Sequence, residues 1–119
     1  MCFMIHYDWE QPRITEDDII CWKSTGRYQY CDDNQFMSSP YQFLYERDKL
    51  YYQMLSFGWN NHRKTVEAGF HSHSVKPQGV SSSAYILGEF IIPKGCEYFY
   101  NHIEEEYCSS HIIFKKIIR

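Results

Sequence analysis

Short runs of β-branched and aromatic residues, separated by clusters of polar turn residues, set the pattern of this chain. The clearest run is Ala84–Tyr100, AYILGEFIIPKGCEYFY. It predicts a strand, a tight turn at Ile92-Pro93-Lys94-Gly95 and a returning strand. Proline fixes φ where a type I turn needs it, and the glycine can take the left-handed position that closes a bulged hairpin. Strand-forming residues flank the turn on both sides.

The rest of the chain is read in the same way. Met1–Tyr7 is a short apolar strand, and Asp8–Asp18, with Pro12 and several acids, is a connector. Ile19–Lys23, IICWK, is a compact strand. Ser24–Ser39 is rich in Ser, Gly, Asp and Asn and predicts a long loop, suited to covering a cleft. Between Ser39 and Gly58 two patterns compete. Ser39, Pro40 and Gly58 stand where a helix cap, first position and stop would stand. Against that, Tyr41, Phe43 and Tyr45 alternate, as do Leu50, Tyr52 and Met54, around a polar Arg47-Asp48-Lys49 turn, which is a hairpin pattern. Gly58–Lys64 reads as a polar turn and Thr65–His73 as a strand with Gly69 inside it. Ser74–Ser83 is a Ser/Gly/Pro stretch with a short helix near Ser81. Asn101–Glu106 is an acidic turn, and Cys108–Arg119 is a last strand whose lysines would guard a sheet edge.

These elements predict an α+β, mostly β, single domain over residues 1–119. Its architecture is an antiparallel bent sheet or partly open barrel with at most one or two short helices. A chain of 119 residues buries one modest core without needing disulfides or metal. No internal repeat and no dividing linker is present.

Composition changes this picture at three points. Aromatic residues make up 18% of the chain, with Tyr 11 and Phe 8, so tyrosine serves half-buried sheet faces or a binding surface. The formal charge is -3, and Lys115-Lys116 is the longest lysine run, which disfavours nucleic acid and anionic membranes as partners. The cysteines, Cys2, Cys21, Cys31, Cys96 and Cys108, are odd in number and contain no CxxC pair. With no basic start followed by an apolar run in MCFMIHYDWEQPR, they point to reduced thiols and a cytoplasmic setting.

Four segments then stand in a familiar order: SPYQFLYE at Ser39–Glu46, VEAGFHSH at Val66–His73, GEFIIPKGCEYFY at Gly88–Tyr100 and EEYCSSHIIF at Glu105–Phe114. Together they resemble a family of small uncharacterised bacterial and phage-associated domains, whose pattern is SPY…YE.G..Y, GFHS, IPKG.YY and EY.S..I. The family brings no activity with it. The resemblance implies the hairpin reading of Ser39–Gly58, with Asp48 standing near a glycine of the family's turn, and fits an accessory protein of a mobile element.

Candidate chemistry is sparse. His71 and His73 form an HxH pair, and on a strand positions i and i+2 share a face, so the two imidazoles could grip one metal ion. A third ligand would come from Cys96, Cys108, His102 or His111; the simpler reading leaves both histidines facing solvent or a neighbouring loop. Cys96 and Cys108 are weighed as nucleophiles, but a thiolate wants a positive neighbour, and Cys108 follows Glu104-Glu105-Glu106. Those three carboxylates are read as a solvated turn. Glu89 before the proline–glycine turn resembles the catalytic glutamate of ADP-ribosyltransferases. Ser81-Ser82-Ser83 and Lys23 or Arg27 would take the other roles, although Leu87 stands where that family's first glutamate belongs. Tyr28, Tyr30, Tyr41, Tyr98 and Tyr100 are candidate contact residues, since aromatics gather at interface centres.

The expected function is therefore a small cytoplasmic binding or interaction module of unknown partner, protein or small molecule, without a cofactor and with Tyr41, Tyr98 and Tyr100 as its contact residues. The alternative is a small enzyme, such as an ADP-ribosyltransferase-like protein, with a cleft near His71, His73, Glu89 and Tyr98. Convergent polar side chains with shifted ionisation in a concave pocket would mark the enzyme. An aromatic patch rimmed by polar groups would mark the binding module.

Overall fold

The computed structural model describes residues 3–4, 11–26, 31–38, 43–60, 63–77 and 85–118. Among them every regular element is a strand. In chain order these are β1 (Phe3–Met4), β2 (Arg13–Ile14), β3 (Ile19–Gly26), β4 (Cys31–Asp32), β5 (Gln35–Met37), β6 (Leu44–Glu46) and β7 (Leu50–Tyr52). They continue with β8 (Ser56–Asn60), β9 (Arg63–Ala68), β10 (Phe70–His73), β11 (Tyr85–Ile92), β12 (Glu97–Asn101), β13 (Glu106–Ser109) and β14 (His111–Ile118). An eight-stranded sheet runs in the order β2-β12-β13-β10-β3-β11-β14-β7, antiparallel throughout and not closed into a barrel. Two three-stranded sheets, β1-β9-β8 and β4-β5-β6, accompany it. The mostly-β, bent antiparallel sheet expected from the pattern is what the chain forms. The short helix read near Ser81 lies outside the described residues, as does Tyr41.

Ala84–Tyr100 is not a hairpin. β11 and β12 do not pair with each other; β11 lies between β3 and β14, and β12 between β2 and β13. The turn instead bends one side of a long two-stranded ribbon. Arg13 and Ile14 face Tyr98 and Glu97 before the bend, and Ile19 through Gly26 face Ile92 through Tyr85 after it, with no change of register. Four residues, Thr15–Asp18, turn the corner opposite four, Pro93–Cys96. The corner is pinned by Thr15. Its backbone N–H donates to the Cys96 carbonyl at 2.9 Å and its carbonyl accepts from the Gly95 N–H at 3.0 Å. Its hydroxyl donates to the Pro93 carbonyl at 2.7 Å and accepts from the Cys96 N–H at 2.9 Å. The Asp18 carboxylate accepts from the Lys94 N–H at 2.8 Å. Gly95 has φ +86, the left-handed conformation its place in the turn demanded. Proline and glycine thus do locally what was expected of them, but the bend is a sheet corner.

The same corner is repeated on the other side of residues 85–101. Glu106–Ser109 pairs with β12, Ser110 donates its N–H to the Glu97 carbonyl at 2.9 Å, and β14 continues along β11. β7 flanks β14, so the lysines of the last strand do not guard an edge; the edge strand is β7. β10 flanks β13 on the other half of the bend. Between β7 and β10 the chain leaves the sheet as the β8–β9 pair. Gly58–Asn60 and Arg63–Lys64, read as a polar turn, are therefore strand, and the Thr65–His73 strand is interrupted at Gly69.

The region 39–58 is strand rather than helix where it is described. Asp48, with φ 62, takes the turn position expected of it. Yet β6 and β7 do not pair with each other as a hairpin; β6 joins β5 and β7 joins β14. The supposed loop of Ser24–Ser39 contributes the end of β3 and the strands β4 and β5, and the connector Asp8–Asp18 contains β2. The small β4-β5-β6 sheet covers the bent sheet with two rings. Phe36 meets Phe90 edge-on at 5.1 Å and Phe114 at 5.7 Å, and Tyr45 meets Phe90 edge-on at 5.1 Å. Around them Cys21, Phe70, Ile92, Cys96 and Ile112 complete the main core. Val66, Phe99 and Cys108 form a second, smaller core with Leu55.

Thr15→Val tests the corner. Valine keeps the shape but leaves the Cys96 N–H without its side-chain acceptor and the Pro93 carbonyl without its donor. The expected loss is about 2 kcal/mol, since an unmade buried hydrogen bond costs about 1–3 kcal/mol. Thr15→Ser should recover most of it in denaturant melts; a Thr15→Val protein as stable as the parent would contradict the pinning.

Candidate functional site

β10 and β3 are hydrogen-bonded neighbours at one pair only, His73 opposite Trp22. Beyond that pair the strands part, and the gap is the cleft. Lys23 and Ser24 line it from β3, His71, Ser72 and His73 from β10, Glu106 from β13, and Ser38 from the end of the small sheet. Register on the other side of β10 sets the rest: His71 stands opposite Cys108 and His73 opposite Glu106. The cleft measures about 150 Å³, below the range of about 300–1,000 Å³ that holds a drug-sized ligand, so it suits a small ion or a single functional group. A shallower groove of about 420 Å³ continues from Ser24 and His73 past Val75, Lys76 and Pro77 to Glu104 and Glu105.

Electrostatics in the cleft follow from its depth. Burial lowers the Lys23 amine to about 8, against the opposing influence of Cys21, Cys108 and Glu106. The amine also lies 5.6 Å from the centre of the Tyr45 ring, a cation–π arrangement that helps to keep it charged. Among the described residues no carboxylate lies within ion-pair distance of Lys23. Burial, and then the Lys23 charge, hold His71 down at about 4 and lower His73 as well, so both imidazoles are neutral at pH 7. Burial, and next the neighbouring Glu104 carboxylate, push Glu106 up. The Ser72 hydroxyl is buried against the Cys21 thiol, a weak partner, and makes no other hydrogen bond among the described residues.

His71 and Cys108 approach each other, Nε2 to Sγ, at 3.9 Å. This is a neutral pair. Burial pushes the Cys108 thiol up to about 12 while it drives the imidazole down, so neither partner favours the thiolate–imidazolium form that a cysteine nucleophile uses. The histidines are half-buried rather than solvent-facing. Among the described residues no three His, Cys, Asp or Glu side chains converge closely enough to hold a metal ion.

The cleft brings His71 and His73 together with Lys23 and Glu106, with Cys108 beside His71; Glu89, Cys96, Tyr98 and Tyr100 do not line it, and Arg27, Tyr28, Tyr30, Tyr41, Ser81, Ser82 and Ser83 lie outside the described residues. Glu89 lies on β11 between Trp22 and Lys116 and does not line the cleft. Cys96 is buried in the corner. Tyr98 and Tyr100 are half-buried on β12, their rings 5.8 Å and 5.1 Å from that of Tyr107, and the Tyr100 hydroxyl is 3.4 Å from the Ser74 hydroxyl. The acidic turn is built around buried Asn101, whose side-chain oxygen accepts from the N–H groups of Ile103 and Glu104 at 3.0 and 3.1 Å. Glu106, read as part of that solvated turn, is its last residue and the one that enters the cleft. In the sequence Lys23 is a candidate only for the basic role of the ADP-ribosyltransferase-like pattern beside Glu89, and Glu106 has no motif to announce it; their meeting depends on strand order.

Among the described residues no helix is long and apolar enough to cross a membrane. Comparison with protein-family models, with curated proteins and with solved structures finds no match to this chain.

Proposed function

We propose that the protein is a small binding module that holds an anionic group in the cleft where β3 and β10 part. One observation carries this reading: the Lys23 amine is drawn into a concave site beside neutral imidazoles and serine hydroxyls, and Glu106, the one carboxylate lining that cleft, forms no ion pair with it. A cation that has given up part of its hydration gains from an anion more than a surface lysine does. Ser24 supplies a hydroxyl donor, and a neutral histidine can donate from one ring nitrogen, while the Ser38 hydroxyl is engaged with the Phe43 backbone. The adjoining groove gives the rest of a ligand an apolar wall at Val75 and Pro77.

The test is titration with inorganic phosphate, pyrophosphate and acetate, read by NMR shifts of His71 and His73 and by calorimetry. Lys23→Met is expected to weaken anion binding by about tenfold or more, and Lys23→Arg to retain most of it. Because the folded amine titrates near 8, the affinity should be full below that pH and fall as the pH rises through it. Unmoved histidine resonances at millimolar anion, or equal binding by Lys23→Met, would refute the proposal.

A second reading, a small enzyme at the same cleft, is favoured by the shifted ionisation of Lys23, His71 and Glu106 in one concavity. It differs from binding alone by turnover of a bound compound that is lost in His71→Gln while anion affinity persists.

A further inference from the structure

The solvent face of β3, β11, β14 and β7 carries an apolar row that crosses all four strands. Ile20 stands opposite Ile91, Ile91 opposite Ile113, and Ile113 opposite Leu50. Alternation puts these side chains on the face away from the main core, which takes Cys21, Phe90, Ile112 and Phe114 from the same strands. The ends of the row are open: Ile20 is 52% exposed and Leu50 54%. Two positions along, Trp22 faces Glu89 and Glu89 faces Lys116, so the next row holds one acid beside one base. Leu87, the next residue of β11 on this face, is buried, which bounds the patch.

We infer that this face packs against the same face of a second copy of the chain, in a two-fold symmetric dimer. The pattern complements itself. An axis parallel to the strands, passing between β11 and β14, lays Ile91 over Ile113 of the second copy and Ile20 over its Leu50. The same rotation lays Glu89 over Lys116 of the second copy, and Lys116 over its Glu89. Apolar thus meets apolar and each charge meets its opposite, which is the self-complementarity a two-fold interface requires. Strands about 4.8 Å apart make this face only about 15–20 Å wide. That is the low end of size for a specific interface.

Sedimentation equilibrium over a concentration series tests the inference. The full chain should pass from monomer to twice that mass, Ile20→Asp should remain monomeric, and Glu89→Lys should weaken association about tenfold or more. The swap Glu89→Lys with Lys116→Glu should restore it. Circular dichroism on each variant separates lost association from lost folding, and Ile20 is exposed enough for the aspartate to leave the fold intact. A wild-type chain that stays monomeric throughout the series overturns the inference. So does a dimer indifferent to Ile20→Asp, the result expected if copies join through the β7 edge, and so does a charge swap that associates no better than Glu89→Lys alone.

Discussion

Gly88→Val is expected to abolish the fold or to cost about 3 kcal/mol or more, the upper part of the range for overpacking a close-packed core. Gly88 lies on the core side of β11, directly beneath the Phe36 ring, which plugs the core from the small β4-β5-β6 sheet. A Cβ there would come within 2.8 Å of the Phe36 ring at two atoms and 3.0 Å from the Phe90 ring. Neither ring has somewhere to go. Phe36 is fully buried against both Phe90 and Phe114, and Phe90 is fully buried with Phe114 and Tyr45 also packed on it. The strand pairing is also tight here, with Gly88 opposite both Lys23 and Ile117, so β11 cannot move away from the plug without breaking two ladders. Urea unfolding and the thermal midpoint read the effect directly, and Gly88→Ala should fall between the parent and the valine variant. A valine variant that melts with the parent would mean that the small sheet does not sit on β11.

Phe36→Ala should be the most damaging truncation, at about 3–5 kcal/mol. The ring is fully buried and belongs to a strand of three residues that contributes little else to the core. Removing it leaves a cavity beneath β4-β5-β6 and takes away the edge-on contact with Phe90 and the tilted contact with Phe114. The two predictions are coupled. In a Gly88→Ala background the alanine methyl partly fills the cavity that Phe36→Ala opens, so the double variant should be more stable than the sum of the two single losses implies. Strict additivity would show that Gly88 and Phe36 do not touch. The cleft depends on this plug as well, because Ser38 closes the cleft from the strand that carries Phe36, and Tyr45 holds its ring beneath the Lys23 amine. Loss of the plug should therefore lower anion affinity along with stability.

Much of the strand content was legible because it rests on local chemistry. Ile19–Lys23, Thr65–His73 and Ala84–Tyr100 are rich in residues that fit a pleated, half-buried surface, and Asp48 and Gly95 occupy the turn positions their side chains allow. Pairing was less legible. A proline followed two residues later by a glycine bends the chain in the same way whether the strands it joins meet each other or continue into two halves of one sheet. What decides between them at residues 93–96 is Thr15, some eighty positions away, which satisfies the turn's backbone groups from outside. The same blindness hid the strands between Ser24 and Ser39. Cys31–Asp32 and Gln35–Met37 are too short to show an alternating pattern, and they are ordered by one buried ring, Phe36.

The site was half legible for the same reason. His71 and His73 stood out as a pair on one strand. In the sequence Lys23 stands out only as a partner of Glu89, and Glu106 only as the end of an acidic turn, because nothing in their own neighbourhoods points from one to the other. They meet only because β10 lies between β13 and β3. Glu89 carried the reverse lesson: its surroundings resembled a catalytic motif, while its ladder partners, Trp22 and Lys116, place it on the open face of the sheet.

All of this geometry rests on the single register that carries residues 13–26 past residues 85–98 and through the corner. Cross-strand NOEs between backbone protons measure it most directly. Contacts should join Ile14 to Glu97 on one side of the corner and Ile20 to Ile91 on the other, with Thr15 close to Cys96 between them. A ladder of contacts zipping residues 88–92 onto residues 96–100 would contradict it, since β11 and β12 would then be a hairpin and Lys23 would lose the strand order that places it in the cleft.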